Sequence, residues 1–281
     1  MSSTKLDLER FPNFLIIGAN KGGTTSLYNY CNQHPEIHMS SIKEPMYFTS
    51  EYFRDAKIHK KRTEETAKFN KKSTKPPYIS ELADYYQLFE DGKHLKARGE
   101  ASTAYLGAYN VVIKKVKQLC PKMKFIISLR HPIDRAWSAY SMYNDMGLEA
   151  LSFNDVVSSE INNEFVGRQR YLVLGAYYAP VSAYLNHFGK ENVLVLFFDN
   201  LKNNPAKYMR RIFEFLGVDE QTFVDTSVKF NSAEERTGSN LTKQAWRDEE
   251  SLPQIIEFFK EDVRKLRQIV DFGDVHWEYF D

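Results

Sequence analysis

Three runs of apolar residues punctuate the chain: Phe14 to Ile17, Met123 to Leu129 around Phe125-Ile126-Ile127, and Val193 to Phe197. Continuous runs of this length predict strands buried on both faces. Between and after them the apolar spacing turns helical. Ser80–Phe89 puts Leu82, Tyr85, Tyr86 and Phe89 on one side. Asn110–Leu119 is helical and stops before Pro121, and a helix opening at Pro132 or Ile133 reaches about Met146. Ala179–Phe188, Pro205–Leu216 (ended by Gly217) and Pro253–Val270 complete the helical stretches. Ile37–Met39 and Ala97–Ser102 read as shorter strands. Apolar strands alternating with helices predict an α/β fold: a single domain spanning 1–281, with a central parallel sheet flanked by helices. No internal repeat or low-complexity linker divides it. Residues 1–12 form a polar lead-in. Residues 54–77 are basic, with nine Lys/Arg against three Asp/Glu between Arg54 and Lys75, and fit a solvated loop or a flap beside a site.

The first strand runs straight into chemistry. After Ile17 come Gly18-Ala19-Asn20-Lys21-Gly22-Gly23-Thr24-Thr25-Ser26-Leu27. Gly22 and Gly23 permit a tight turn with exposed amides, and Thr24, Thr25 and Ser26 can cap the helix that follows. Strand, glycine turn and helix N-terminus make an anion cradle, to which Lys21 adds a cation. An ATP-binding Walker loop carries lysine directly after its second glycine. Here Gly18 and Gly23 have that separation, but Thr24 stands in the lysine position and Lys21 comes early, which argues against the ATP/Mg²⁺ form. Arg130 sits just past the second strong strand, and Ser138 eight residues on falls on the second turn of the next helix. An arginine fork and a hydroxyl suit a phosphate. In parallel sheets ligands gather at the strands' carboxyl ends, so Lys21 and Arg130 can share one site.

Composition narrows the partners. The hydrophobic fraction is 42%, the charged fraction 27% and the net charge +1, ordinary for a globular protein. No global charge points to nucleic acid, and no segment is apolar for long enough to span a bilayer. Cys31 and Cys120 lack disulfide-framework or metal-site spacing and read as buried free thiols in helical segments. The seven histidines are scattered, so no metal is expected. The N-terminus has no apolar leader core, from which a cytoplasmic location is expected.

Lys21-Gly22-Gly23-Thr24-Thr25-Ser26-Leu27 after a hydrophobic strand resembles the 5′-phosphosulfate loop of sulfotransferases that use 3′-phosphoadenosine-5′-phosphosulfate (PAPS). Ser128 to Tyr140 resembles their 3′-phosphate motif. Two separated anion sites fit a nucleotide phosphorylated at both 3′ and 5′ positions. The likeness to the heparan-sulfate-like and bacterial group continues through Leu174-Gly175-Ala176-Tyr177, Val193 to Leu201 and Phe215-Leu216-Gly217, and runs from Phe11 to about Trp277. It implies a P-loop-like sulfotransferase fold, PAPS as donor and 3′,5′-ADP (PAP) as product. It also implies nucleotide contacts from Lys21, Gly22, Gly23, Thr24, Thr25, Ser26, Arg130 and Ser138, and weaker ones from Arg236 and Gly238.

In-line sulfuryl transfer needs a cation at the leaving oxygen and a base for the acceptor proton. Lys21 suits the first. Glu44, in Lys43-Glu44-Pro45, matches the family's catalytic glutamate, with Glu100 in reserve. Glu100-Ala101-Ser102-Thr103 departs from the Glu-Lys-Thr-Pro segment of many glycan enzymes, leaving Lys43 or Ser102 to take the missing lysine's part. Tyr47, Phe48, Tyr85, Tyr86 and Tyr105 can line an acceptor pocket or belong to the core. The acceptor expected is a small natural product bearing a hydroxyl or amine, such as a saxitoxin-like alkaloid; a saccharide hydroxyl is the alternative. A nucleotide-kinase-like protein and a non-catalytic nucleotide-binding module are the competing functions.

Overall fold

The computed structural model describes residues 11–53, 78–164, 170–228, 230 and 245–281. Five strands form one sheet: β1 (Phe14–Gly18), β2 (Ile37–Met39), β3 (Ala97–Ala101), β4 (Lys124–Leu129) and β5 (Val193–Phe197), in the order β2-β3-β1-β4-β5. Every pairing is parallel. β1 is buried along its whole length because it is central and covered on both faces. Its alternate residues serve different cores. Phe14 and Ile16 pack with helices α1 (Thr24–Cys31) and α9 (Pro205–Leu216). Leu15 and Ile17 face the layer containing α4 (Tyr109–Leu119), α5 (Pro132–Asp145), α7 (Tyr178–Phe188) and α10 (Leu252–Ile269).

The helices begin and end where local chemistry directs. Pro132, Pro205 and Pro253 occupy first-turn positions, where a missing N–H costs nothing. Asn204 caps α9 through Lys207 N, and Gly217 closes it with φ 76°. Between these lie α2 (Leu82–Gln87), α3 (Ala104–Gly107), α6 (Phe153–Ile161) and α8 (Phe198–Asn203). The expected helix over Ser80–Phe89 is thus shorter. α6 was not anticipated, although Ser152 caps it by accepting from Asp155 N at 3.1 Å. Both cysteines are free and buried, but Cys120 lies just beyond α4 in an extended conformation rather than within a helix. Among the described residues no helix is long and apolar enough to cross a membrane. The basic 54–77 stretch lies outside them.

β3 lies close beside β1 where Gly99 pairs with Phe14. A Cβ on Gly99 would come within 2.3 Å of the Phe14 ring. We expect Gly99→Ala to cost about 1–3 kcal/mol through overpacking. Urea unfolding should show a lower midpoint with an unchanged slope.

Candidate active site

The turn after β1 is clipped to the end of β4. Ala19 N donates to Ser128 O at 2.8 Å, and Ser128 Oγ donates to Gly22 O at 2.6 Å. A Cβ on Gly22 would lie 2.2 Å from Ser128 O, so only glycine fits. Gly23 sits at φ 84°, where a Cβ would strike Phe198 and Leu201. Gly23, not a hydroxyl residue, is the N-cap of α1, and no side chain caps the helix. Thr24, Thr25 and Ser26 therefore form the first turn rather than the cap, because the chain enters through a left-handed glycine. Gly22 N is also engaged, donating to Ala19 O at 2.9 Å. The Gly22 amide is thereby turned into the loop, and the first turn of α1 begins at Thr24.

Lys21 adopts φ 68°, and its Nζ reaches Met142 Sδ on α5 at 3.3 Å. Ser138 is one turn before Met142 and shares that helix face. Arg130, just past β4, donates from its guanidinium to Lys21 O at 3.3 Å and lies over the Phe198 ring at 5.1 Å. Lys21, Arg130 and the α5 face bearing Ser138 are thereby brought together at the carboxyl ends of β1 and β4. His131 caps α5, accepting from Asp134 N, while its other ring nitrogen meets Glu278 O at 3.1 Å. Burial lowers its pKa, so it stays neutral in this structural role. Arg236 and Gly238 lie outside the described residues.

Glu44 arrives from the far side of β3. Its backbone N–H donates to Ala101 O at 2.9 Å. Its carboxylate accepts from Thr103 N at 2.9 Å and Thr103 Oγ1 at 3.2 Å, and pairs with Lys43 Nζ at 2.9 Å. Glu44 and Met46 have φ of 59° and 53°. With Lys21 they make three of the five left-handed non-glycine residues among those described, so backbone strain concentrates here.

Thr103 and Asn20 line one small cavity of about 30 Å³ with Leu106, Val173, Leu174 and Tyr177. The cavity joins the neighbour of Lys21 to the residue that grips Glu44. Asn20, Thr103, Met142, Tyr177 and Phe198 had not been singled out. Their types carry no signal by themselves; only adjacency to Lys21, Glu44 and Arg130 marks them.

Several expected contacts belong to the core instead. Tyr105 is fully buried and Phe48 and Tyr47 nearly so, and Tyr47 stacks on Tyr85 at 4.2 Å. Their rings pack within the larger hydrophobic core. Glu100 is also fully buried, accepting from Ser102 Oγ and Tyr105 OH at 2.7 Å and Tyr85 OH at 3.2 Å. A carboxylate enclosed by hydroxyls is not placed to take a proton from a ligand. Ser102 is buried too, its hydroxyl joining Glu100 to Met46 N, so it does not stand in for the family lysine. Among the described residues no group of His, Cys, Asp or Glu is arranged to hold a metal ion.

A parallel five-stranded sheet flanked by helices, with a lysine-bearing glycine turn at the end of its central strand and an arginine beside it on the adjoining strand end, places the chain in the P-loop-like class of α/β folds. The chain belongs to the sulfotransferase family: residues 12–222 match the model described as "Sulfotransferase family". The crystal structure of a sulfotransferase from Alicyclobacillus acidocaldarius aligns at a TM-score of 0.72 and 29% identity, covering 92% of this chain and 95% of that one. The fold is accordingly the P-loop-like sulfotransferase fold. Bifunctional heparan sulfate N-deacetylase/N-sulfotransferase 1 of Xenopus tropicalis is 27% identical over 218 residues, 75% of this chain and 22% of its own length. The Homo sapiens protein of the same name is 28% identical over 216 residues, with the same coverage. The chain spans about a fifth of the length of these curated relatives.

Burial pushes the Glu100 carboxyl up to about 7, against the opposing pull of the Tyr105 and Ser102 hydroxyls. The native state therefore binds the proton more tightly than the unfolded chain, and stability falls as pH rises from about 4.5 to 7. The difference is on the order of 3 kcal/mol. Glu100→Gln removes this titration. Thermal unfolding should show the variant gaining on the wild type between pH 5 and pH 8; a constant difference would exclude the effect.

Proposed function

We propose that the protein transfers a sulfuryl group from PAPS to a hydroxyl or amine of an acceptor. The observation that carries this is the meeting of Lys21 and Arg130 at the ends of two adjacent strands, linked by the bond from Arg130 to Lys21 O. The two positions suit the 5′ and 3′ phosphates of one nucleotide. The Gly22-Gly23 turn, closed to any Cβ, and a helix start without a side-chain cap fit a phosphate there. Gly23, Thr24 and Thr25 amides would hold the 5′-phosphate, and Arg130 and Ser138 the 3′-phosphate. Arg236 and Gly238 would add contacts over the nucleotide.

Lys21 neutralises charge on the leaving 5′-phosphate oxygen as the sulfur–oxygen bond breaks. Glu44 takes the proton from the acceptor oxygen or nitrogen as the new bond to sulfur forms. Thr103, with two bonds to the carboxylate, and Lys43, with one, fix its direction. The acceptor atom and the sulfur must align for the in-line step. The small cavity lined by Asn20, next to Lys21, and Thr103, which holds Glu44, supports an approach from that side.

The acceptor in this reading is a compact hydroxyl or amine on a small natural product, alkaloids of the saxitoxin type being one example. The second reading, a saccharide acceptor, is favoured by the heparan sulfate N-sulfotransferase relatives. We also propose a cytoplasmic setting, supported by the two buried free thiols.

Calorimetry should show PAP binding without added metal, and ATP binding far more weakly. Glu44→Gln should retain PAP affinity and lose roughly 10²- to 10⁴-fold in sulfate transfer from labelled PAPS, measured over a metabolite and oligosaccharide panel. Unchanged turnover would remove Glu44 as the base. Absence of transfer by the wild type to any acceptor, with PAP binding intact, would favour a binding module.

A further inference from the structure

Tyr177 is fully buried between the two halves of the site. Its hydroxyl donates to the backbone carbonyl of Arg130 at 3.0 Å. Its own backbone N–H donates to Asp262 Oδ2 on α10 at 2.8 Å, and the same carboxylate accepts from Tyr178 N. Its side chain packs near Trp277, with ring centroids 6.2 Å apart, and the residue lines the cavity that also contains Asn20 and Thr103. Burial pushes the phenol up to about 12, so the hydroxyl remains a hydrogen-bond donor throughout the neutral range.

The segment that carries Tyr177 is anchored independently of the nucleotide loop. Glu160 accepts from Leu172 N at 2.9 Å and Val173 N at 2.7 Å. Glu149 accepts from Tyr171 OH at 3.0 Å, and the buried guanidinium of Arg135 donates to Tyr171 O. Residues 171–178 are thus held by carboxylates from three directions, and Tyr177 extends that rigidity to the carbonyl of Arg130. Arg130 in turn donates to Lys21 O. A continuous path runs from Asp262 through Tyr177 and Arg130 to Lys21, and its middle member is also a wall of the cavity.

We propose that Tyr177 is a positioning residue: it sets Arg130 against the 3′-phosphate of the donor nucleotide and ties that placement to the cavity wall facing the acceptor. The inference rests on the PAPS reading of the site. Buried donors hold a functional side chain to within the fraction of an ångström that a phosphate contact requires. Loss of the hydroxyl takes this donor from the Arg130 carbonyl, and the backbone there relaxes.

The test is PAP binding by calorimetry in four proteins. Tyr177→Phe removes only the hydroxyl and should weaken PAP roughly five- to tenfold. Tyr184→Phe is the control, because Tyr184 is equally buried and donates to the carbonyl of Tyr105 at 3.0 Å in the core. It should lower the melting temperature comparably and leave PAP affinity unchanged. Arg130→Ala should lose most PAP binding, and Tyr177→Phe added to it should have no further effect, since Tyr177 acts through Arg130. Equal PAP affinity in Tyr177→Phe and wild type would overturn the proposal. So would equal weakening by Tyr184→Phe, or additive losses in the double variant. Failure of the wild type to bind PAP, or full binding by Arg130→Ala, would instead overturn the reading of the site itself.

Discussion

The contact between the β1 turn and Ser128 constrains everything else in the site. A backbone carbonyl sits where the Cβ of any residue other than glycine at position 22 would have to be. This close approach lets Ser128 accept from Ala19 N and donate to Gly22 O, locking the turn to β4. Because β4 is locked, Arg130 at its end falls beside Lys21 instead of pointing into solvent. Because the turn is locked, α1 starts from a left-handed Gly23 and no side chain caps it. One steric requirement thus fixes the glycine turn and the arginine next to it.

A second polar cluster does for Glu44 what Ser128 does for Lys21. Glu100, enclosed by Tyr85, Ser102 and Tyr105, holds Ser102 so that its hydroxyl accepts from Met46 N. This fastens the left-handed segment around Glu44 and Met46 to β3. Burying a carboxylate is unfavourable, and its raised pKa records that cost. The return is a rigid platform from which Thr103 and Lys43 can aim Glu44.

Much of the fold was legible from period and punctuation. Phe14–Ile17, Phe125–Ile127 and Val193–Phe197 are strands because apolar runs of that length bury two faces, and the prolines and Gly217 marked the helices correctly. α6 was passed over even though Ser152 and Asp155 carry a cap signature. The aromatic residues near Glu44 read as pocket or core alike, since an aromatic ring serves either and composition cannot separate them; the structure buries Tyr47, Phe48, Tyr85 and Tyr105 in the core. The helix cap was misassigned for a related reason: three hydroxyl residues follow Gly23, and only the backbone angle of Gly23 shows which residue begins the helix.

By itself, the sequence determined the parallel α/β class, the early lysine in its glycine turn and the arginine–serine pair. These depend on local spacing and on the sterics of glycine, which are properties of consecutive residues. Tertiary structure alone decided that Gly22 gives up its amide to the turn, that Glu100 and Ser102 serve as buried support, and that Asn20, Thr103 and Tyr177 meet around one small cavity. Those residues come from the ends of β1 and β3 and from the segment before α7. They lie far apart along the chain, and only packing brings them to one cavity.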